Sequence, residues 1–521
     1  MPELTDGPIA VLAIDLGTGG PKVAVFAEDG ALLASGVAKT PITITDDGGA
    51  EQDPNDWWRA IVEAAKEALA QLPPDAPAPG VVAVTAQWAS TVPVDEHGNA
   101  VGNAISWMDR RGAPHASEAC GPGPRVVGYN VAKIARWLRY TGGAPSLAGR
   151  DPIGQILFLK HQRPAVYEAA AYFVEPGDYL TARMTGNVVN SPESATMCWG
   201  TDTRDINAIT YNEKLIRMSG LDPGRLAPIV PSNSVVGTLL PAVAAELGVG
   251  EIPVIASSPD VTSAAVGSGA VADGAAHLYI GTSGWLSCHL PKRKTDVLHQ
   301  MAALPSSLPG KYLLATEQQT AGASLDHVKD VLLNLPDYSF EELTGEAEAA
   351  GLGANGVQFT PWLNGERTPL DDARVRGAFS NISLTATRGS LMRATLEGVA
   401  MNVRWMQHYT EKLAGSRHDS IAFIGGGASS DLWSQILADV TGREIAQMEG
   451  PRQANVRGAA LLALLGLGRI TVDDIPSRVS VKQRYVPDPE RRKQYDALFT
   501  DFQSHYKATK RWHHRRNEPA D

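Results

Sequence analysis

Two short loops rich in glycine and hydroxyl side chains are where this sequence first shows groups that could do chemistry. The first reads Asp15-Leu16-Gly17-Thr18-Gly19-Gly20, and the second reads Gly281-Thr282-Ser283-Gly284. A loop of this composition between two strands lets backbone N–H groups and a hydroxyl approach phosphate oxygens, because no bulky side chain intervenes. Taken alone, each loop is more typical of an ordinary hairpin turn. The pair, with Asp15 at the start of the first loop, indicates a nucleotide held between two lobes.

Apolar runs beside each loop predict the strands that position it. Residues 9–14 and 22–26 flank the first loop, and an Asp29-Gly30 turn signal leads into a further apolar run. Residues 277–280 and 285–290 flank the second loop in the same way. The two halves of the chain therefore predict a duplicated strand–loop–strand unit within an α/β architecture. Neither loop has the G-x-x-x-x-G-K-[ST] spacing, so a P-loop site is excluded.

Three further segments complete the predicted framework. Asn55 is predicted to cap a helix whose apolar residues follow helical spacing. A strand at 252–256 leads through Asp260 into a helix of small residues, and the domain junction is predicted there. A third glycine-rich loop, residues 425–430, lies between a predicted strand and a predicted helix.

Length, charge and cysteine content limit the class of protein. The chain has 521 residues, 43% of them hydrophobic, which is enough for two or more domains. Its net charge of -11 argues against a nucleic-acid partner, because phosphate neutralisation needs clustered Lys and Arg. No apolar run reaches the roughly 18 residues that a membrane span needs. Cys120, Cys198 and Cys288 have no C-x-x-C spacing, and Glu3 and Asp6 stand where a signal peptide would be basic, so a cytoplasmic location is predicted.

Short blocks follow one another in a fixed order along nearly the whole chain: Ile14-Asp15-Leu16-Gly17-Thr18, Glu51-Gln52-Asp53-Pro54, Trp107-x-Asp109-x-Arg111, Asp178-Tyr179-Leu180, Gly365-Glu366-Arg367-Thr368-Pro369, Leu396-Glu397-Gly398 and Gly425-Gly426-Gly427-Ala428. In these blocks the chain resembles the FGGY carbohydrate kinases, and among them the xylulokinases. The resemblance implies the actin-like ATPase fold, which is ribonuclease H-like, with two duplicated lobes around a cleft for ATP and a sugar.

The resemblance also implies the groups that phosphoryl transfer needs, namely a proton acceptor, a metal and contacts to the moving phosphate. Asp260 matches the family's general base, although an Asp after a proline and before a helix is also a natural N-cap. Asp15 and Asp260 are implied to hold Mg²⁺. Lys22 is equally compatible with a solvated strand end, and residues 425–430 with a plain strand-to-helix turn. The implied ATP contacts are Gly17, Thr18, Lys22, Gly281, Thr282, Ser283, Gly426, Gly427 and Ser430.

The sugar site implied by the family needs an aromatic wall and bidentate hydrogen-bonding partners, because a polyol offers many hydroxyls. Its predicted members are Gln87, Trp88, Trp107, Asp109, Arg111 and Asp260. Arg111 beside Arg110 is also compatible with a solvated pair. Residues 51–53 are also compatible with capping of the following helix. Trp57 and Trp58 are interpreted as core packing.

Two segments depart from the xylulokinase pattern. Gln87-Trp88-Ala89-Ser90 stands where these enzymes usually carry Gln-Met-His-Gly, and Ser258-Pro259-Asp260-Val261 stands where they usually carry Gly-Gly-Asp-Asn. A histidine donor and an amide are thereby lost. A site built to bond a hydroxyl can discriminate by on the order of 10⁴-fold against a molecule that leaves its partners unpaired. The departures therefore weaken the prediction of xylulose and leave the prediction of a kinase intact.

The sequence thus predicts an ATP- and Mg²⁺-dependent kinase for D-xylulose, with D-ribulose, L-xylulose or a four- to five-carbon alditol such as xylitol or erythritol as alternatives. A nucleotide-binding regulatory protein on the same fold is the non-enzymatic alternative. Residues 9–268 are the predicted N-terminal, sugar-binding lobe, 269–470 the C-terminal, nucleotide-binding lobe, and 471–521 a helical, polar tail. Segment 135–150 is expected to shape the sugar entrance or an oligomer contact, such as that of a homodimer. The basic cluster 510–516 is expected to be a solvated end.

Overall fold

A computed structural model of the chain describes residues 7–126 and 128–517, so Glu3, Asp6 and the last four residues of the predicted tail lie outside the described residues. Two large sheets, one in each half of the chain, form the centres of two lobes. Two helices, Asp260–Gly267 and Ala454–Gly466, pack between these sheets.

The N-terminal lobe is built on a sheet with strand order β14-β15-β6-β1-β2-β3, in which β16 also pairs with β6. Its strands are β1 Ala10–Gly17, β2 Gly20–Ala27, β3 Leu32–Val37, β4 Thr43–Ile44, β5 Ala50–Gln52, β6 Pro79–Ala86, β7 Val92–Val94, β8 Ala104–Ile105, β9 Arg125–Val126, β10 Tyr129–Asn130, β11 Tyr172–Val174, β12 Thr201–Asp202, β13 Thr210–Tyr211, β14 Val235–Thr238, β15 Pro253–Ile255 and β16 Ser258–Pro259. Its helices are α1 Pro54–Ala70, α2 Ala113–Ala119, α3 Val131–Tyr140, α4 Pro152–Gln162, α5 Pro164–Ala169, α6 Pro176–Thr185, α7 Pro192–Thr196, α8 Glu213–Met218, α9 Pro241–Leu247 and α10 Asp260–Gly267.

The C-terminal lobe is built on a sheet with strand order β19-β20-β21-β18-β17-β24-β25-β26. Its strands are β17 Ala276–Ile280, β18 Gly284–Leu290, β19 Thr295–Asp296, β20 Met301–Pro305, β21 Tyr312–Ala315, β22 Gln358–Thr360, β23 Ala378–Ser380, β24 Ser420–Ile424, β25 Glu444–Met448 and β26 Val481–Tyr485. Its helices are α11 Gly322–His327, α12 Phe340–Ala349, α13 Arg388–Ala414, α14 Asp431–Thr441, α15 Ala454–Gly466 and α16 Pro489–Arg516.

The duplication predicted from the two glycine loops is present in the pairing of the strands. β1 pairs antiparallel with β2 and parallel with β6, and Gly17 lies opposite Gly20. β17 pairs antiparallel with β18 and parallel with β24, and Ile280 lies opposite Gly284. Each loop therefore closes an equivalent hairpin at the centre of its sheet. Residues 10–16 of β1 are all buried, as expected for a strand covered on both faces.

Helices α10 and α15 approach each other closely because glycines face the partner backbone. A Cβ atom on Gly267 would lie 1.8 Å from the carbonyl oxygen of Ala454, and one on Gly458 would lie 1.8 Å from that of Ser263. Ala264 and Val266 of α10 share one buried cluster with residues of β1 and α15. This contact fixes the start of α10, and with it the position of Asp260.

The N-cap of the first helix lies two residues before the predicted one, and the helix begins at Pro54. Asp53, not Asn55, is the N-cap of α1, and its side chain accepts a hydrogen bond from the Asn55 N–H. The reason is that Pro54 takes the first helical position, which suits its fixed φ and missing N–H. Trp57 and Trp58 are 1% and 4% exposed, so their interpretation as core residues is confirmed.

The polar tail packs on the C-terminal lobe instead of extending into solvent. Phe502 of α16 lies 5.4 Å from Trp362 between ring centroids, and Tyr506 lies 5.9 Å from Trp405. The expected solvated end is wrong for two residues of the basic cluster, since His513 is 3% exposed and His514 Nε2 lies 2.8 Å from Asp372 Oδ2. An apolar stripe in a helix of strongly polar composition explains the error.

Segment 135–150 lies against the C-terminal lobe. The Arg293 guanidinium donates hydrogen bonds to the carbonyl oxygens of Arg139 and Tyr140 at the end of α3. Thr295 Oγ1 donates to the Gly142 carbonyl. The segment is thus a contact between the lobes of one chain.

No helix among residues 7–126 and 128–517 combines the length and the apolar character needed to cross a membrane. Cys120, Cys198 and Cys288 are buried and unpaired.

Candidate active site

The β1–β2 hairpin places Asp15 and Lys22 side by side at the first phosphate loop, residues 15–20. Lys22 Nζ lies 3.6 Å from Asp15 Oδ2 and donates a hydrogen bond of 3.3 Å to the Arg452 carbonyl in the other lobe. Asp15 Oδ1 is buried and accepts no hydrogen bond from any described residue. Burial raises the pKa of Asp15, while the charge and hydrogen bond of Lys22 oppose the rise. Lys22 thus has two partners at the loop, Asp15 and the Arg452 carbonyl, while 41% of its side chain is exposed.

Asp260 begins helix α10, directly after the N-cap residue Pro259. Its Oδ1 accepts a hydrogen bond of 2.8 Å from the Val261 N–H, so the carboxylate satisfies one free donor of the helix start. Burial raises the pKa of Asp260 to about 7, and the nearby charge of Asp15 adds to the rise. Asp260 thus titrates near neutral pH, which suits a group that accepts a proton. Pro259 takes the N-cap position, so the capping alternative for Asp260 is wrong, although its carboxylate bonds the next N–H of the helix.

Four side chains join the first phosphate loop to the predicted sugar residues. Trp107 Nε1 donates a hydrogen bond of 3.0 Å to Thr18 Oγ1, which in turn donates one of 2.9 Å to Gln87 Oε1. Gln87 Nε2 donates to Gln52 Oε1 at 2.9 Å, and Gln52 Nε2 returns to the Thr18 carbonyl at 3.0 Å. Gln52 was missed as a site residue because its neighbour Asp53 has the signature of a helix cap. The structure therefore brings Thr18, a predicted ATP contact, together with the predicted sugar residues Gln87 and Trp107.

Asp109 and Arg111 lie in the sugar loop, residues 107–111, and bind each other. Asp109 is 1% exposed, and its carboxylate accepts from the Arg111 guanidinium and the Ala50 N–H. Arg111 also bonds Glu51 at 2.6 Å and lies 4.3 Å above the Phe158 ring. The solvated alternative for Arg111 is therefore wrong. The hydrogen-bonding capacity of this pair serves to hold the loop that carries Trp107.

The segment that departs from the xylulokinase pattern forms a tight, supported turn. Trp88 Nε1 is buried and donates to no described residue. Ala89 has φ of 60°, a left-handed conformation that is uncommon outside glycine. The Ser90 N–H donates to Glu175 Oε2 at 3.0 Å, and burial raises the pKa of Glu175 well above its usual value. Glu175 was not among the predicted residues, since no motif marks it.

The second phosphate loop, residues 281–284, leaves its hydroxyls free. The Ala321 N–H donates to the Thr282 carbonyl at 3.0 Å, so the start of α11 fixes the loop backbone. Neither the Thr282 nor the Ser283 hydroxyl makes a hydrogen bond with a described residue. Tyr279, just before the loop, stacks on Trp285 with 4.0 Å between ring centroids. Its pKa is raised by burial and by the charges of Asp15 and Asp260, and a Cβ atom on Gly281 would lie 2.5 Å from the Tyr279 hydroxyl.

The third glycine loop has one open and one packed position. A Cβ atom on Gly426 would meet nothing within 4 Å, whereas one on Gly427 would lie 2.7 Å from Ile280. Ser430 is the N-cap of α14, and its hydroxyl accepts from the Trp433 N–H at 3.1 Å. Ser430 is also 5% exposed, so its hydroxyl serves the helix start. Gly426 is the position of the three that a ligand could approach.

Comparison with known proteins gives the family. The model of the FGGY carbohydrate kinase N-terminal domain matches residues 10–267, and that of the C-terminal domain matches residues 276–467. The chain belongs to the FGGY family of carbohydrate kinases. As an FGGY kinase it is a phosphotransferase with an alcohol group as acceptor and ATP as phosphate donor, so the alternative of a non-enzymatic regulator is not retained.

Relatives of this FGGY kinase act on more than one sugar. The xylulose kinase of Staphylococcus epidermidis is 29% identical over 512 residues, covering 96% of this chain and 97% of the relative. The gluconokinase of Bacillus licheniformis is 24% identical and covers 94% of both chains. A ligand-bound xylulose kinase from Lactobacillus acidophilus superimposes with a TM-score of 0.83 at 21% identity, covering 96% of this chain and 98% of the other. Glycerol kinase from Plasmodium falciparum with ADP superimposes with a TM-score of 0.81 at 20% identity, covering 97% of this chain and 98% of the other. The structural matches show the two-domain actin-like ATPase fold.

Proposed function

We propose that this FGGY kinase transfers the γ-phosphate of ATP to the terminal hydroxyl of a ketopentose, with D-xylulose as the first candidate. The observation that carries the proposal is the placement of Asp260 at the start of α10, where its Oδ1 accepts from the Val261 N–H and burial and the charge of Asp15 raise its pKa. Xylulose kinases at 26–29% identity support the choice of sugar.

Asp260 is the proposed general base. Its carboxylate in the ionised form accepts the proton of the attacking hydroxyl as the oxygen–phosphorus bond forms. Backbone N–H groups of Gly17 and Gly281, with the hydroxyls of Thr18, Thr282 and Ser283 and the ammonium of Lys22, are proposed to surround the phosphates. Free hydroxyls at Thr282 and Ser283 fit this role.

Asp15 and Asp260 are the proposed ligands of Mg²⁺. Asp15 Oδ1 is buried without a hydrogen-bond donor, which is the condition expected of an oxygen that meets a cation. Among the described residues no group of three or more His, Cys, Asp or Glu side chains could hold a metal. Two carboxylates fit Mg²⁺ nevertheless, because in kinases this ion takes one or two carboxylates and completes its shell with water and phosphate oxygens. When bound, the ion would neutralise charge on the phosphates.

The adenosine is proposed to lie over Gly426 and Gly427, where the open side of Gly426 leaves room. Ser430 is proposed to act there through its position at the start of α14, because its hydroxyl is already bonded. The proposed division into lobes stays at 9–268 and 269–470, and residues 471–517 are assigned to the C-terminal lobe because α16 packs in its core.

Trp88 and Trp107 are the proposed sugar-facing residues. The buried indole N–H of Trp88 lacks an acceptor, and a substrate hydroxyl would supply one. Gln87, Asp109 and Arg111 are proposed to position these rings, because their polar atoms are bonded within the protein. Since Ala89 and Val261 replace a histidine and an asparagine of the xylulokinase pattern, and Trp88 replaces its methionine, D-ribulose, L-xylulose, xylitol and erythritol stay as alternative acceptors.

A coupled assay of ADP release against these five acceptors tests the proposal. We expect D-xylulose or one of the alternatives to stimulate ADP release, and Asp260→Asn to lower the rate by about 10²–10⁴-fold through loss of the base. Asp205→Asn, a change at an exposed aspartate, is the control. Absence of stimulation by every acceptor, or full activity of Asp260→Asn, would refute the proposal.

A cytoplasmic location and a homodimer also remain proposals. The location is supported by the use of ATP and by three unpaired cysteines, and a fusion to a fluorescent protein would test it. The oligomeric state can be measured by sedimentation; segment 135–150 gives no support for a dimer, because it contacts the other lobe of its own chain.

A further inference from the structure

Arg150 connects the two lobes beside the sugar loop and the second phosphate loop. The preceding Gly149 packs against Ala113, just after the sugar loop, where a Cβ atom would lie 2.2 Å from the Ala113 nitrogen. On the opposite side, Arg150 Nη1 donates a hydrogen bond of 3.4 Å to Gln319 Oε1 in the C-terminal lobe. The residue before Gln319 pairs its backbone with Gly284, the end of the second phosphate loop. Arg150 therefore stands between the two halves of the candidate site.

The charge of Arg150 is incompletely compensated. Its Nε is buried and donates to no described residue, and the contact with Gln319 is long. No carboxylate of the described residues forms an ion pair with it. Burial lowers the pKa of Arg150 to about 10, and repulsion from Arg110 and Arg367 lowers it too, against the attraction of Glu317. Arg150 is half-buried, and a guanidinium N–H that is buried without an acceptor is costly, so this group calls for an anion.

The surrounding groups do not supply that anion. Arg110 is exposed, and its guanidinium bonds no described residue. Glu317 is already paired with Arg367 at 2.6 Å. Burial raises the pKa of Glu366, next to Gln319 in space, to about 8, so this carboxyl carries little negative charge at neutral pH. Asp151, the next residue in the chain, accepts hydrogen bonds from the Ser146 N–H and the Trp199 indole instead of from Arg150. No carboxylate of the described residues therefore pairs with the Arg150 guanidinium.

We propose that Arg150, with Arg110 beside it, binds one oxyanion group, a carboxylate or a phosphate, at the edge of the cleft between the lobes. A guanidinium presents planar N–H donors that match the oxygens of such groups two at a time, and the unpaired Nε of Arg150 is one of these donors. The placement rests on the proposed function, since it takes the cleft as the site of the acceptor sugar. Because a ketopentose carries no oxyanion, the group comes either from a sugar-acid acceptor, which would take the place of the ketopentose in the proposed function, or from a free phosphate ion.

The first arm of the test compares matched acceptors. Initial rates are measured with D-xylonate against xylitol and with D-gluconate against D-glucitol, for the wild type and Arg150→Gln. If the acceptor carries the oxyanion, Arg150→Gln lowers kcat/KM for the acid by about 10–100-fold, which corresponds to the loss of one charged hydrogen bond. The value of kcat/KM for the alditol changes by less than about twofold.

The second arm measures inorganic phosphate binding to the full chain by calorimetry in the absence of sugar. If free phosphate is the ligand, Arg150→Gln weakens its binding by about tenfold or more, while Arg150→Lys keeps part of it because the charge is retained. A residue that only packs between the lobes would show no such rescue. Arg217→Gln is the matched control, since Arg217 is an exposed arginine of the same lobe paired with Glu213.

A result in which Arg150→Gln folds and changes neither the ratio of acid to alditol nor the affinity for phosphate overturns the inference. If Arg150→Gln does not fold, Arg110→Gln is measured instead, because the exposed Arg110 side chain makes no contact that folding needs. We expect Arg110→Gln to lower kcat/KM for the acid, or the affinity for phosphate, about threefold, since the attraction in water is only partly lost. Unchanged values of both overturn the inference. If the wild type phosphorylates no acceptor, the proposed function fails, and the phosphate arm still judges this site.

Discussion

Trp107 Nε1 donates a hydrogen bond of 3.0 Å to Thr18 Oγ1, and this bond ties the sugar loop to the first phosphate loop. The Thr18 hydroxyl in turn donates a hydrogen bond to Gln87 Oε1. The position of the phosphate loop and the aromatic wall of the sugar site are thereby set together. A change at either end should reach the other.

Trp107→Phe keeps most of the ring and removes this donor. We expect kcat/KM for the acceptor to fall by about tenfold, the cost of one hydrogen bond, because Thr18 loses its fixed orientation. Steady-state kinetics with varied acceptor measure the effect. Trp137→Phe is the matched control, since Trp137 is fully buried and its Nε1 bonds no described residue. Equal losses in both variants would contradict the assigned role.

The activity should follow the ionisation of Asp260. The base must be deprotonated to accept a proton, and its pKa is raised to about 7 by burial and by Asp15. We therefore expect kcat/KM to rise about tenfold per pH unit below this value and to level off above it. Asp178 has a pKa of about 7 for similar reasons of burial, so the profile is also measured for Asp178→Asn. A profile that is flat from acidic to alkaline pH, or an inflection lost in Asp178→Asn, would argue against Asp260.

Asp260→Asn should stabilise the fold at alkaline pH. The pKa of this carboxyl is higher in the folded chain than its ordinary value of 3.8, so the folded state favours the proton. The stability gained from the protonated form is complete below the ordinary value and is lost as pH rises through about 7. Asparagine has no charge to bury, and we expect a Tm higher than that of the wild type by about 2–4 °C at pH 8.5, and by less at pH 5. A difference that does not depend on pH would contradict this account.

The packing of α10 against α15 gives a prediction on stability. Gly267→Ala would bring a methyl group to 1.8 Å from the Ala454 carbonyl, so the helices must separate. We expect a loss of about 2–3 kcal/mol, as for other overpacked sites, and a lower Tm in a thermal scan. Gly345→Ala in α12 is the control, because nothing lies within 4 Å of its added methyl. Gly345→Ala should raise the free energy of unfolding by about 0.5–1 kcal/mol. An unchanged free energy of unfolding for Gly267→Ala would show that α10 and α15 can separate without loss of stability.

Local sequence signals predicted the strands and loops of this site, and they failed where a contact joins distant segments. The hairpins around 15–20 and 281–284 follow from short apolar runs and glycines, which act locally. The N-cap of α1 is a local exception: Asn55 is the predicted cap, whereas Pro54 takes the first helical position and Asp53 caps the helix, as the capping alternative for residues 51–53 allows.

Long-range pairing explains the residues that were missed. Tyr279 and Glu175 carry no motif, and only the meeting of separate segments places them near Asp260. The sugar contacts of Asp109 and Arg111 stay a prediction, and the hydrogen bond between the two side chains is a contact that their order in the sequence did not indicate. The apolar stripe of α16 was outweighed by its basic composition, so its docking could not be read from the residues nearby.

The docking of α16 has a consequence for synthesis on the ribosome. Phe502 and Tyr506 complete the cluster around Trp362 and Trp405, so these tryptophans stay uncovered until almost the whole chain has been translated. The first lobe has by then emerged in full. During this interval the nascent second lobe displays aromatic surface, the condition in which aggregation competes with folding and chaperones protect the chain.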